Sequence, residues 1–323
     1  MSATRRRSGL RRSLALSLSA AVLVTGAGTW YAFGGDEHSS PRAALVTSLA
    51  MSMDLPWPTE GQASAEVEGI GSLGTKGEQT PVPIASVTKV MTAYVILAGH
   101  PMPGDAPGAK VIADQQAADE SYSSVESTAP VVAGREYTQR QLLELLMLPS
   151  GNNVARLLAR WDAGGQEEFA QKMNKAAAAL GMDRTTYTGA SGIESSTKST
   201  AADQLKLARA VMKNEAFRQI VATPAVTAPG VGVQIHNSNK LLGQDGVIGL
   251  KTGSSTPAGG NLMWAATQEV AGVPRLILGV VLHQRADTNP TAGMAAAFDS
   301  SRTLITAIRA ALPQALAAQT PQT

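Results

Sequence analysis

The sequence predicts an α+β fold in which a mostly antiparallel sheet is built from both ends of the chain, with helices inserted between. Three observations carry this. A hairpin-like stretch opens the body, with Ala63, Ala65 and Val67 alternating before a Gly-Ile-Gly-Ser turn at 69–72. A long helical middle follows. Short β-type runs return only after Pro224 and are closed by one more helix. Strands segregated from helices along the chain favour antiparallel pairing over βαβ units.

Residues 1–35 read as a targeting segment. Arg5, Arg6, Arg7, Arg11 and Arg12 precede residues 13–35, 23 positions without a charge. A helix needs about 20 apolar residues to span a bilayer, and the arginines stay on the cytoplasmic side. Two readings fit. A cleaved signal could end at Thr25–Gly26–Ala27; an uncleaved anchor better matches the full uncharged length and the Trp30/Tyr31 pair. Either places the body outside the cytoplasm.

Without the five arginines, the 27 basic residues fall to 22 against 25 acidic. The body is therefore slightly acidic, and no nucleic-acid partner is expected. There is no cysteine, which removes disulfides and thiol chemistry. His38, His100, His236 and His283 are scattered, so no metal or other cofactor is expected.

Residues 36–56 are expected to be a linker, 57–312 the folded domain and 313–323 a loose tail. Within the domain the hairpin at 62–77 leads to Pro-Ile-Ala-Ser-Val-Thr-Lys at 83–89 and an apolar helix. Residues 108–136 are polar and carry no clear pattern. Thr138 and Gln141 make a capping box for a leucine-rich helix. Pro149-Ser150-Gly151-Asn152 interrupts it before a helical pattern resumes at Val154. A helix over 166–180 ends at Gly181, and Thr200 caps another that reaches about Lys213. Strands are expected at 230–235, 247–252, 261–267 and 275–283, and a last helix over 291–312.

Candidate chemistry begins at Ser86 and Lys89, three residues apart at the start of a helix and hence neighbours on one face. The spacing alone is weak: Ser195 and Lys198 repeat it in a Ser/Thr-rich stretch without an apolar helix behind it. Two further pieces make it specific. Ser150-Gly151-Asn152 is a short polar loop between two apolar helices. Lys251-Thr252-Gly253 ends an apolar run with a cation and a glycine that permits close backbone approach. Ser-x-x-Lys, Ser-Gly-Asn and Lys-Thr-Gly, in that order, resemble the motif set of penicillin-binding proteins and serine β-lactamases. Ile-Ala-Ser-Val-Thr-Lys-Val-Met-Thr at 84–92, Asn-Ser-Asn-Lys-Leu-Leu at 237–242 and Gly-Leu-Lys-Thr-Gly at 249–253 narrow the resemblance. They are similar to the low-molecular-mass D-alanyl-D-alanine carboxypeptidases of the S11 peptidase family.

That resemblance implies a penicillin-binding-protein-like fold and a peptidase that removes the terminal D-alanine of peptidoglycan stem peptides. Ser86 is then the expected nucleophile, Lys89 its base and Ser150 a proton relay. Asn152, Lys251, Thr252, Gly253, Ser254 and Arg285 are the expected substrate-binding residues. β-Lactam antibiotics are expected as covalent inhibitors. Many family members have a histidine where Ser254 stands, and a second domain and C-terminal anchor beyond where this sequence stops. An N-terminal anchor would hold the enzyme at the membrane instead. A class A-like β-lactamase and a non-catalytic penicillin-binding sensor or scaffold are the alternatives. The first needs a Glu-x-x-x-Asn segment between motifs two and three, and Glu167, Glu168, Glu194 and Glu215 all lack the asparagine.

Overall fold

The computed structural model describes residues 53–318. The expected N-terminal targeting segment, most of the linker and the last five residues lie outside them. Among the described residues no helix is long and apolar enough to cross a membrane.

The expected hairpin is β1 (Gln62–Val67) with β2 (Gly71–Lys76). After the short β3 (Val82–Pro83), Ala85–Thr88 forms a 3-10 turn and Lys89–Gly99 forms α1. Ser86 and Lys89 therefore belong to two abutting helical pieces, not to one α-helical turn. The polar stretch that carried no pattern holds β4 (Lys110–Ile112), α2 (Gln115–Glu120) and β5 (Glu136–Thr138). Such short elements leave no periodicity to read; Asp114 caps α2 by accepting from the Ala117 N–H. The capping box at Thr138 opens α3 (Gln139–Met147) as expected.

Helices α4 (Asn152–Ala163), α5 (Gln166–Ala179) and α6 (Ala201–Val211) follow, the last capped by Thr200 through the Asp203 N–H. β6 (Lys198–Ser199) pairs with β3. A short helix that the sequence reading missed, α7 (Glu215–Val221), is capped by Asn214. The strand expected at 230–235 is mostly not a strand: 230–233 belong to the connection between β7 (Ala225–Thr227) and β8 (Gln234–His236), and only 234–235 are extended in β8. Gly230 and Gly232 have φ of 80° and 74° and turn the chain between them.

β9 (Val247–Ser255), β10 (Gly259–Val270) and β11 (Val273–Gln284) complete the main sheet, and α8 (Pro290–Ala317) closes the described chain. α8 runs five residues past the expected end at Leu312, with Pro313 inside it. The sheet order is β2-β1-β11-β10-β9, every pair antiparallel. The expected assembly from both ends of the chain is thus observed: β1 from the start pairs with β11 from the end, Ala65 opposite Gly279.

Alternation along the sheet divides the core. Met263, Ala265, Leu278 and Val280 pack with the helical middle of the chain. Leu262, Trp264, Ala266 and Ile277 pack with Phe298, Leu304, Ile305 and Ile308 of α8. Period-two side chains thus bury both faces of the sheet. The β9 edge and the 3-10 turn meet at the boundary between sheet and helices.

Candidate active site

The 3-10 turn, the α3–α4 loop and the β9 edge bring the three motifs together. Ser86, Ser150, Thr252, Gly253 and Ser254 line one cavity of about 330 Å³. Pro290, Thr291, Met294 and Phe298 of α8 make its apolar wall, and Ser127, Ser238 and Lys240 complete the polar part.

Close packing sets the backbone. A Cβ on Gly253 would lie 2.9 Å from the Ser86 nitrogen and 2.8 Å from that of Val87, so β9 can approach the turn only with glycine there. Gly192 does the same for the facing loop. Its φ is 79°, and a Cβ would meet the Ala85 carbonyl at 2.0 Å. That approach lets the Ser191 carbonyl reach α1. Ser150 holds a φ of 69°, an uncommon conformation for a residue other than glycine. The loop is tied down around it: the Asn152 N–H donates to Ser127 O at 2.8 Å and the Ser238 N–H to Leu148 O at 3.0 Å. The Ser150 hydroxyl is buried and, among the described residues, has no hydrogen-bond partner.

Lys89 is fully buried. Its Nζ lies 2.9 Å from Ser86 Oγ, 2.5 Å from Asn152 Oδ1 and 2.8 Å from Ser191 O. Burial lowers its pKa well below the ordinary lysine value, and the charges of Lys251 and Arg156 push the same way. Glu126 and Glu194 oppose the shift without cancelling it. Burial and the two cations thus disfavour the ammonium relative to the neutral amine, whose lone pair would lie beside a hydroxyl.

Lys251 is also buried. Its Nζ donates to Thr252 O at 3.0 Å, and Thr252 Oγ1 is 2.8 Å from Ser238 Oγ. Burial alone brings its pKa down to about 7. No acidic side chain pairs with it among the described residues. A half-solvated carboxylate arriving beside Thr252 would restore its charge.

Not every expected residue converges. Arg285 sits at the end of β11 with φ of 50°, exposed and outside the cavity lining. The decoy pair separates clearly: Ser195 and Lys198 are both exposed, and Lys198 is held by backbone bonds to Thr186. The sequence reading missed Glu126, Arg156 and the Ser191 carbonyl. Glu126 Oε2 accepts from Asn152 Nδ2 at 2.6 Å, and Glu126 Oε1 accepts from Arg156 Nη2 at 2.6 Å. One signal pointed there: Arg156 lies four residues from Asn152 on one face of α4 and needs an acid. Among the described residues no cluster of acids and histidines could hold a metal.

The arrangement can perform acyl transfer: a hydroxyl beside a buried amine, a cation for a carboxylate, and backbone N–H groups at the turn. Comparison with known proteins agrees. The model of the D-alanyl-D-alanine carboxypeptidase family, peptidase S11, matches residues 72–285. A D-alanyl-D-alanine carboxypeptidase of Streptomyces sp. strain K15 is 34% identical over 290 residues, 84% of this chain and 92% of its own. The carboxypeptidase DacB2 of Mycobacterium tuberculosis is 33% identical, over 72% of this chain and 78% of its own. The crystal structure of the Streptomyces K15 DD-transpeptidase superposes with a TM-score of 0.66 at 34% identity, covering 78% of this chain and 98% of that one.

Proposed function

The chain belongs to the peptidase S11 family of D-alanyl-D-alanine carboxypeptidases, and on that premise we propose that it hydrolyses the D-Ala–D-Ala bond of peptidoglycan stem peptides through an acyl-enzyme on Ser86. The observation that carries this reading is the Lys89 amine, buried, 2.9 Å from Ser86 Oγ and faced otherwise by two acceptors.

In this mechanism the stem peptide lies along β9 with its terminal carboxylate at Lys251 and Thr252. Ser86 Oγ attacks the carbonyl of the penultimate D-alanine and gives its proton to Lys89. The developing oxyanion is held by the backbone N–H groups of Ser86 and Ser254; such donors contribute about 3 kcal/mol each. The C–N bond breaks, and the amine takes up the proton through Ser150. D-Alanine leaves with its carboxylate. Water then attacks the ester, its proton returns to Ser86, and the shortened peptide departs. Asn152 positions Lys89 and holds the substrate amide. Gly253 gives the backbone room for this approach, and Arg285 is the outermost candidate for carboxylate binding. No cofactor is needed. Penicillin enters the same path, but its acyl-enzyme persists because no Glu-x-x-x-Asn segment supplies a deacylating base.

The substrate is a cell-wall polymer, so the enzyme works outside the cytoplasm. The five arginines within residues 1–12 and the uncharged run at 13–35 behind them support a membrane anchor there, or secretion to the wall if the segment is cleaved.

Incubation of the protein with a pentapeptide muropeptide, followed by mass analysis, tests the reading. Release of one D-alanine is expected. Ser86→Ala should abolish both that release and covalent penicillin labelling. Labelling retained in the variant overturns Ser86 as nucleophile, and rapid nitrocefin turnover by the wild type would favour a β-lactamase.

A further inference from the structure

Glu126 has no part in the roles assigned above, yet it sits behind them. Its side chain is 11% exposed. Besides accepting from Asn152, it takes two hydrogen bonds from Arg156, 2.6 Å at Oε1 and 3.2 Å at Oε2. Arg156 is itself anchored to Glu120 Oε2 at 2.8 Å. Burial alone would favour the protonated acid, but the bonds from Arg156 and Asn152 outweigh it and keep the carboxylate charged.

An amide side chain can face either way, since its two ends differ only in hydrogen bonding. A charged carboxylate can only accept, so Asn152 must turn Nδ2 towards Glu126. That leaves Oδ1 for Lys89. The Ser191 carbonyl is likewise an acceptor only. A neutral amine has two hydrogens and one lone pair. Facing two acceptors, Lys89 spends both hydrogens on Asn152 and Ser191, and its lone pair is left for the Ser86 hydroxyl. If the Asn152 amide turned over, its Nδ2 would occupy the lone pair and Lys89 would donate to Ser86, where it could not act as a base.

We propose that Glu126 is a positioning residue: by holding the Asn152 amide with its oxygen towards Lys89, it directs the Lys89 lone pair onto Ser86. The inference rests on the acyl-transfer reading of Ser86 and Lys89. The charged groups that face Lys89 are Lys251 on β9, Arg156 on α4, Glu126 before α3 and Glu194 in the loop before α6, with Glu120 of α2 acting through Arg156.

The test is Glu126→Gln, which keeps the shape and loses the charge. Arg156 will claim the glutamine oxygen, and the glutamine NH₂ is then presented to Asn152, which favours the turned amide. Acylation of Ser86 by benzylpenicillin should slow by about tenfold or more on its pH plateau. The acid limb of the pH profile should move to lower pH, since one of the two anions facing Lys89 is gone. The melting temperature should stay within a few degrees. In an Asn152→Ala background the same substitution should have no further effect on the plateau rate. Wild-type rate and limb in Glu126→Gln overturn the inference alone, as does a slowing that persists undiminished without Asn152. A wild-type protein that takes up no penicillin at Ser86 overturns the acyl-transfer reading and this inference with it.

Discussion

The nitrogen of Lys89 lies 2.8 Å from the carbonyl oxygen of Ser191, a contact between residues 102 positions apart in the chain. It holds one hydrogen of the amine away from Ser86. Thr92 makes a parallel bond from its hydroxyl to Ala190 O at 2.6 Å, one turn along α1. The loop is thereby pinned to the helix at two points.

Lys89→Met should therefore stop catalysis while leaving the fold. A lysine with a lowered folded-state pKa binds fewer protons folded than unfolded at neutral pH, so its burial costs stability there, and that stability is regained as pH rises. Methionine removes this cost but leaves Ser191 O and Asn152 Oδ1 without a donor, which offsets the gain. The melting temperature should change by only a few degrees, and D-alanine release should fall roughly 10²–10⁴-fold. An active Lys89→Met enzyme would exclude Lys89 as the base.

Ser150→Ala should separate function from stability more sharply. The Ser150 hydroxyl is buried and has no hydrogen-bond partner among the described residues. Its removal breaks no hydrogen bond to another described residue, so urea unfolding should show nearly unchanged stability. The rate of D-alanine release should drop roughly 10²-fold or more if the hydroxyl carries the proton to the leaving amine. A large loss of stability with activity retained would refute the relay.

Lys251 is expected to set the alkaline side of the pH profile. Burial sets its pKa at about 7 in the free protein. Carboxylate binding needs the charged form, so kcat/KM should decline as pH rises through that value. kcat, measured with substrate bound, should decline at higher pH because the carboxylate favours the ammonium. Lys251→Arg stays charged throughout, and its kcat/KM profile should lack this limb whatever its absolute level. A limb that persists in the arginine variant belongs to another group.

Gly253→Ala probes the approach of β9 to Ser86. The added Cβ would lie 2.9 Å from the Ser86 nitrogen, closer than real contacts of that kind. The strand must move outward by a few tenths of an ångström, which separates the two N–H groups proposed for the oxyanion. Penicillin acylation should slow by one to two orders of magnitude, roughly the loss of part of one donor. Thermal melts should report a destabilisation of about 1–3 kcal/mol. Normal acylation would place the oxyanion elsewhere.

Much of this protein is legible without coordinates. Thr138 and Gln141 announce α3 because a capping box is local chemistry. Ser86 and Lys89 meet because three residues of helix bring them together. The hairpin and the late strands follow from alternation and turn residues. What escapes is short or distant. α2 spans only Gln115–Glu120, too few residues for a periodic signal, and α7 is scarcely longer. Glu126 is an ordinary acid in a polar stretch until Asn152, 26 residues on, is folded against it.

The order and spacing of Ser86, Lys89, Ser150, Asn152, Lys251 and Thr252, and the antiparallel α+β layout, were determined by the sequence alone, because helical neighbours and alternating strands depend on separations along the chain. Which group is neutral, which way an amide faces and where a lone pair points were decided only by the tertiary structure. Those properties come from burial and from filling every donor and acceptor, and Lys89 fills its own with Ser86, Asn152 and Ser191, three, 63 and 102 residues away.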